Sequence, residues 1–215
     1  MGPEGRGDEF EAALARIRRS GSALLVTGAV PEHLHRRACA ELLGHAGQRL
    51  FVTAGSGAGR KTEPTEADSV LRLDTASRGA TTDTPGGSTH AAPADGAVTT
   101  ATTVPAAASA VEGALTALDT SEGFHVCVDA ALPVMETAGD EQAFRLLHLV
   151  TSRVRRLGGT CHVHLPLPAD GETARTLAAL ADATVELRLV DDQPEQRWHV
   201  HGDDVRSAWL PLPES

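Results

Sequence analysis

The chain has 215 residues, enough for one domain with appendages and a substantial core. Acidic residues outnumber basic ones 29 to 19, for a formal net charge of −10, whereas a general nucleic-acid surface needs a basic patch or stripe. The amino terminus has no apolar segment of the signal-peptide type, and no apolar run reaches the length of a membrane span. We therefore expect a cytoplasmic protein that binds neither nucleic acid nor membrane.

Apolar periodicity predicts alternating helices and strands in the first part of the chain. After a flexible segment over residues 1–7, Phe10, Leu14 and Ile17 share one face of a helix predicted over residues 8–19. The elements predicted next are a strand at 23–27, a helix that starts near Pro31 and ends at Gly44, and short strands at 49–53 and 69–73.

The composition changes over residues 75–105, which are rich in threonine, alanine and glycine and have almost nothing to bury. Such a segment cannot offset its own ordering entropy, and we predict a disordered insertion there.

Regular elements resume after the insertion. The predicted elements are a helix at 106–118, a strand at 124–129, a long helix from Asp140, a strand at 160–165, a helix at 173–180, and strands at 184–190 and 196–201 separated by a turn. This alternation argues for a mostly parallel sheet with helices on both faces, within a single domain over residues 8–212.

The segment after the first strand lacks the chemistry of a phosphate-binding loop. Such a loop runs G-x-x-x-x-G-K-[ST], whereas Gly28 is followed by Ala-Val-Pro-Glu-His-Leu-His, without a second glycine, a lysine or a hydroxyl group. Pro31 removes one backbone N–H donor, and Glu32 adds a negative charge where phosphate would lie.

The carboxyl-terminal half nevertheless resembles a known family. The segment Val128-Asp129-Ala130-Ala131-Leu132 resembles the Walker B strand and turn of RecA-like ATPases of the KaiC type, and residues 180–188 are similar to the segment that opens the closing hairpin of that family. The stretch His162-Val163-His164-Leu165-Pro166 resembles a haloarchaeal group of uncharacterised KaiC-like proteins that have lost the phosphate loop.

This resemblance implies a RecA-like α/β fold with a mostly parallel sheet, helices on both faces and a carboxyl-terminal β-hairpin. It places the strand of His162 and His164 between the first strand and the strand that ends in Asp129. A halophilic origin is consistent with the acidic composition and with Lys61 as the only lysine among 19 basic residues. The resemblance implies no activity.

Nucleotide binding has only vestigial candidates. Asp129 is the carboxylate that would face a magnesium ion, and Gly28 opens the degenerate loop. Lys61 ends a second glycine-rich segment after a strand, but Arg60 replaces the glycine that lets the chain turn onto phosphate. We interpret this segment as a surface loop.

Two histidine pairs are the candidates for metal binding. His162 with His164, and His199 with His201, each flank one residue on a predicted strand and so point to one face. If the strands were neighbours, the pairs could supply four imidazoles to one ion; otherwise these are hydrogen-bonded structural histidines.

The three cysteines, Cys39, Cys127 and Cys161, are widely spaced without a C-x-x-C pattern, and we interpret them as buried small apolar residues.

The leading hypothesis from the sequence is a non-catalytic, degenerate RecA/KaiC-like domain that acts as a regulatory or signalling accessory through protein contacts. It needs no cofactor and has as its partner an unidentified protein or a second copy of itself. The alternatives are a nucleotide-binding ATPase or sensor with an atypical phosphate loop, and a metal-binding module built on the paired histidines.

Overall fold

The computed structural model describes residues 3–19, 21–44, 47–54, 68–74, 98–118, 120–121 and 123–214. The helices in these ranges are α1 (Pro3–Arg19), α2 (Glu32–Leu43), α3 (Val104–Ala117), α4 (Ala131–Ala138), α5 (Asp140–Arg156) and α6 (Glu172–Ala178). The strands are β1 (Ser22–Thr27), β2 (Gln48–Ala54), β3 (Ser69–Leu73), β4 (Val98–Ala101), β5 (Phe124–Asp129), β6 (Thr160–Leu165), β7 (Ala183–Val190), β8 (Gln193–Val200), β9 (Val205–Arg206) and β10 (Leu210–Pro211). No helix among the described residues is long and apolar enough to cross a membrane.

All described strands belong to one mixed sheet in the order β10-β8-β7-β1-β6-β5-β2-β3-β4, with β9 paired to β8. The strands from β7 to β4 in this order are parallel, whereas β8 pairs antiparallel with β7, β9 and β10. The fold is therefore α/β with a mostly parallel sheet and a carboxyl-terminal hairpin. The predicted position of β6, between β1 and β5, is confirmed.

Helices cover both faces of the sheet, as predicted. On one face, α3 to α6 pack on the alternate apolar residues of the central strands, such as Leu25, Val126 and Val163. On the other face, α1 and α2 pack on Leu24 and Val26 of β1. Because successive residues of a strand point to opposite faces, each central strand contributes to both layers.

The main differences from the sequence-based predictions concern α1, the insertion and α4. Helix α1 begins at Pro3 instead of residue 8, and proline is well tolerated in a first helical turn. Residues 98–105, predicted to be disordered, form β4 and the start of α3, with Thr103 accepting a hydrogen bond from Ala106 N–H as the helix cap. The rest of that insertion, residues 75–97, lies outside the described residues. Helix α4 was not predicted.

Candidate metal centre

A group of polar side chains lies buried between α2 and the sheet. His125 and Cys127 are two residues apart on β5 and therefore lie on the same face, and the same holds for His162 and His164 on β6. The register of the parallel pair places Cys127 directly beside His162.

Helix α2 supplies the layer above this part of the sheet. His35 and Cys39 are four residues apart, one helical turn, so that both belong to one face of α2. Both are completely buried. We call the six residues His35, Cys39, His125, Cys127, His162 and His164 the His/Cys cluster.

Four members of the His/Cys cluster are close enough to bind one ion. Ligand atoms of Cys39, Cys127, His162 and His164 all lie within 4.8 Å of one another. The two sulfur atoms are 3.4 Å apart, and His162 Nε2 lies 3.2 Å from Cys39 Sγ. None of the four residues is more than 2% exposed. Two cysteine thiols, which bind zinc as thiolates, and two imidazoles in compact proximity form a donor set typical of tetrahedral zinc sites.

The other two histidines of the cluster, His125 and His35, contact the imidazole rings of His162 and His164 and orient them. His125 Nε2 lies 2.6 Å from His162 Nδ1, which leaves His162 Nε2 directed at Cys39. A hydrogen bond to the second ring nitrogen is the usual means of fixing the tautomer and orientation of a metal-binding histidine.

The tautomer of His164 follows from a similar chain of contacts. His35 Nε2 lies 3.0 Å from the Gly28 carbonyl oxygen and must donate to it, because a carbonyl can only accept. In neutral His35, Nδ1 is then an acceptor, and the 3.3 Å contact with His164 Nδ1 requires the proton on His164. The lone pair of neutral His164 is therefore on Nε2, the nitrogen that would bind a metal.

Burial sets the protonation state of the cluster. Desolvation is the main cause that lowers the pKa of both His125 and His162 to about 4, so both rings are neutral near pH 7. Desolvation and the hydrogen bond with Cys39 raise the pKa of Cys127 well above its ordinary value. Without a metal the Cys127 thiol is thus protonated, and binding of a cation must release a proton.

The third cysteine lies outside the cluster. Cys161 is next to His162 on β6 and faces the opposite, apolar layer, where burial raises its pKa to about 12. The sequence-based interpretation that all three cysteines are buried is confirmed, and all three are free thiols. It missed that two of them meet a histidine pair.

The structure does not bring the two predicted histidine pairs together. Strands β7 and β1 separate β8 from β6. His199 and His201 instead line a cleft on the α6 side of the sheet, where His199 Nε2 contacts Asp204 Oδ1 at 2.8 Å. His201 lies 2.9 Å from both Thr184 Oγ1 and the Ala181 carbonyl oxygen. These are the hydrogen-bonded histidines of the alternative interpretation.

Gly28 has a structural task at the predicted vestigial loop. Its φ of +137° favours glycine, and an added Cβ would collide with the Leu187 carbonyl oxygen. Its N–H donates to the Leu167 carbonyl oxygen over 2.9 Å, and its own oxygen contacts His35. The Gly28 backbone groups are thus engaged within the protein, not directed at a phosphate.

Of the other two nucleotide candidates, the structure describes only Asp129. Asp129 ends β5, two residues beyond Cys127, and is opposite Thr53 of β2 in register. It therefore points to the same sheet face as the His/Cys cluster. Lys61 lies outside the described residues.

Sequence signals for the complete cluster were present but separate. The pattern His35-x-x-x-Cys39 on a helix and the pattern His125-x-Cys127 on a strand each place two potential ligands on one face. Neither is specific alone, and only the order of the strands shows that they meet the pair on β6.

Comparison with known proteins places the candidate metal centre within a family. No curated protein matches the chain at a significant level. A family profile, described as a family of unknown function (DUF7504), matches residues 21–187. The match includes all six members of the His/Cys cluster and ends within β7. The chain therefore belongs to the DUF7504 family, a family of unknown function.

Proposed function

We propose that this protein is a non-catalytic metal-binding domain, which holds one zinc-type ion in the His/Cys cluster and acts through contacts with other proteins. One observation carries the proposal: two cysteines and two histidines place their ligand atoms within 4.8 Å of one another in a buried position. Soft sulfur donors combined with imidazole favour zinc over magnesium or calcium, which prefer oxygen ligands.

The closed character of the site favours a structural or sensing ion over a catalytic one. A catalytic zinc keeps one position open for water or substrate, whereas here four protein side chains would supply all four ligands of a zinc ion. Burial of all four side chains would also keep solvent away from a bound ion.

An ion in this position would cross-link α2 to β5 and β6. Helix α2 follows the loop that begins at Gly28, at the carboxyl end of β1. Ligands of open α/β sheets commonly bind at this end of the strands. A bound metal ion would thus hold α2 and the loop before it in one position at the carboxyl end of β1. We assign the surface formed there to a protein partner.

The proposal includes descent from RecA-like ATPases of the KaiC type. The strand order β1-β6-β5 and the closing hairpin agree with the layout that the sequence resemblance implies. Loss of turnover is supported by the loop chemistry, because the N–H of Gly28 is bound to Leu167. The acidic, lysine-poor composition supports a high-salt origin.

Zinc titration of reduced, chelator-treated protein tests the proposal. With a chromophoric chelator as competitor, the protein should bind one zinc ion per chain. Cys39→Ser and His162→Gln should weaken binding by about a hundredfold or more, because each removes one ligand. Cys161→Ser is the matched control, since this cysteine is equally buried in the layer on the opposite face.

If the ligand variants fail to fold, a variant outside the ligand set still tests the proposal. His125→Gln keeps all four ligands, removes the imidazole that holds His162, and should weaken zinc binding by about 10–100-fold. Absence of zinc binding by the folded wild-type protein, or equal affinity in all four variants, would contradict the metal proposal.

The alternative nucleotide function has its own test. Titration of Mg-ATP into the purified protein in molar KCl should give no heat and no thermal shift. ATP turnover that disappears in Asp129→Ala would overturn the non-catalytic assignment, whatever the result with zinc.

A further inference from the structure

A second site lies on the opposite side of the sheet from the His/Cys cluster. A cleft of about 600 Å³ is formed by the ends of β1, β7, β8 and β9 and by one side of α6. This volume lies within the range of ordinary small-molecule sites, about 300–1,000 Å³.

The charges of the cleft contrast with those of the whole chain, whose formal charge is −10. Three arginines line it: Arg175 on α6, Arg197 on β8 and Arg206 on β9. Arg197 is neutralised by Glu186 at 2.5 Å. Arg175 and Arg206 are exposed and form no ion pair with any residue in the described part of the chain.

The acidic groups at the cleft offset these two cations only in part. Glu186 is already paired with Arg197, and Asp204, next to the cleft, contacts His199. Asp170 is exposed in the turn before α6 and forms no ion pair with a described residue. Three arginines against Glu186 and Asp170 leave the lining with a formal excess of one positive charge when its two histidines are neutral.

The other residues that line the cleft indicate the chemistry of the rest of the ligand. Ala174, Ala178 and Ala179 of α6 present a surface without functional groups, suited to an apolar body. Thr27 lies at the floor, and its Oγ1 has no hydrogen-bond partner among the described residues. Guanidinium groups bind carboxylates and phosphates through paired hydrogen bonds.

From this arrangement we infer that the cleft binds a small organic anion, with a carboxylate or phosphate head group held by Arg175 and Arg206 and an apolar body against the alanines of α6. The inference is independent of the metal proposal, because the two sites lie on opposite faces of the sheet and share no residue.

Titration with phenyl phosphate and with benzoate, followed by amide NMR shifts, tests the inference and separates the two head groups. The largest shifts should fall on Ala178, Ala179 and Thr184, with saturation at millimolar concentration. Benzamide, which has the same ring and no charge, should bind at least about tenfold more weakly, the usual effect of losing a charged hydrogen bond.

Substitution of the two arginines gives the decisive comparison. Arg175→Gln and Arg206→Gln should each weaken binding of the better probe by about tenfold, and both positions are exposed, so the fold should be preserved. Arg156→Gln is the control, since Arg156 is an exposed helical arginine outside the cleft. Equal binding of benzamide, unchanged affinity in both Arg175→Gln and Arg206→Gln, or no saturable binding of either anion would overturn the inference.

Discussion

The two faces of β5 and β6 contain very different side chains, although the same two strands supply both. Towards α5 the alternate positions are apolar, with Val126, Val128, Val163 and Leu165 in the main core. Towards α2 the alternate positions are His125, Cys127, His162 and His164, and they are buried just as completely. One face is an ordinary hydrophobic core, whereas the other holds three histidines, a residue that is fully buried less often than apolar residues.

This difference marks the α2 face of the sheet as the location of the candidate functional site. Burial of a polar group without a partner costs about 1–3 kcal/mol in proteins, so apolar residues would stabilise the α2 face more simply. The imidazoles and thiols are arranged to satisfy one another, with contacts of 2.6 to 3.4 Å. A shared metal ion, as proposed above, would explain why such a costly set lies in one place.

Zinc should stabilise the folded protein through the α2 face. If only the folded state binds, zinc at a thousandfold excess over its Kd should raise the free energy of unfolding by about 4 kcal/mol. Cys39→Ser should remove most of this gain, whereas Cys161→Ser should retain it. Urea unfolding with and without zinc measures both; an equal gain in the two variants would remove the distinction between the faces.

The apolar face should respond to loss of volume, independently of metal. Leu165→Ala removes a completely buried side chain and should lower the free energy of unfolding by about 3 kcal/mol, within the usual range for such cavities. The same urea experiment should give the same loss in the metal-free and zinc-loaded protein. A loss that depends on zinc would mean that the two faces are coupled.

Acid should destabilise the metal-free protein through the α2 face. His125 and His162 have pKa values of about 4 in the folded protein against 6.5 for an ordinary histidine. Between these pH values the unfolded chain binds protons that the folded protein does not. The contribution of these two histidines to the free energy of unfolding is therefore complete above pH 6.5 and is lost as the pH falls towards 4.

Each of the two histidines should contribute a slope of about 1.4 kcal/mol per pH unit in that window. The measurement is urea unfolding of chelator-treated protein at several pH values, with His125→Gln as the comparison. The variant should show a shallower slope between pH 4 and 6.5. Identical slopes would mean that the buried imidazole of His125 is not the group that titrates.

The smallest expected effect concerns Gly28, which directly follows β1 at the start of the loop to α2. Gly28→Ala should cost about 1–3 kcal/mol, because the backbone conformation is strained for alanine and the added carbon meets Leu187. Thermal unfolding should show this loss whether or not Mg-ATP is present. A stable variant that selectively lost nucleotide affinity would restore a phosphate-binding role to this glycine.

The sequence predicted those elements whose pattern is local. Strands β3, β5 and β6 were predicted with the observed bounds, because each is a short apolar run next to turn residues. Helix α4 was missed because it is short and contains Pro133. Strand β4 was missed because it contains two threonines and so shows no apolar run, as a strand at the edge of a sheet need not. The β-branched side chains of threonine nevertheless favour strands.

The candidate metal centre was only partly predictable, because it depends on contacts between distant segments. The shared face of His162 and His164 follows from strand periodicity alone. His162 is 123 positions away from Cys39 in the chain and 37 positions away from His125, although it contacts both. The sheet order had to be known before these residues could be combined.

Cobalt substitution combined with X-ray absorption on the zinc form tests the central claim most directly. The account predicts one tetrahedral ion per chain with two sulfur ligands at about 2.3 Å and two nitrogen ligands at about 2.0–2.1 Å. The cobalt form should show intense visible absorption that is absent in Cys127→Ser and retained in Cys161→Ser. An ion surrounded only by oxygen or nitrogen atoms, or no bound ion in the folded protein, would contradict the account.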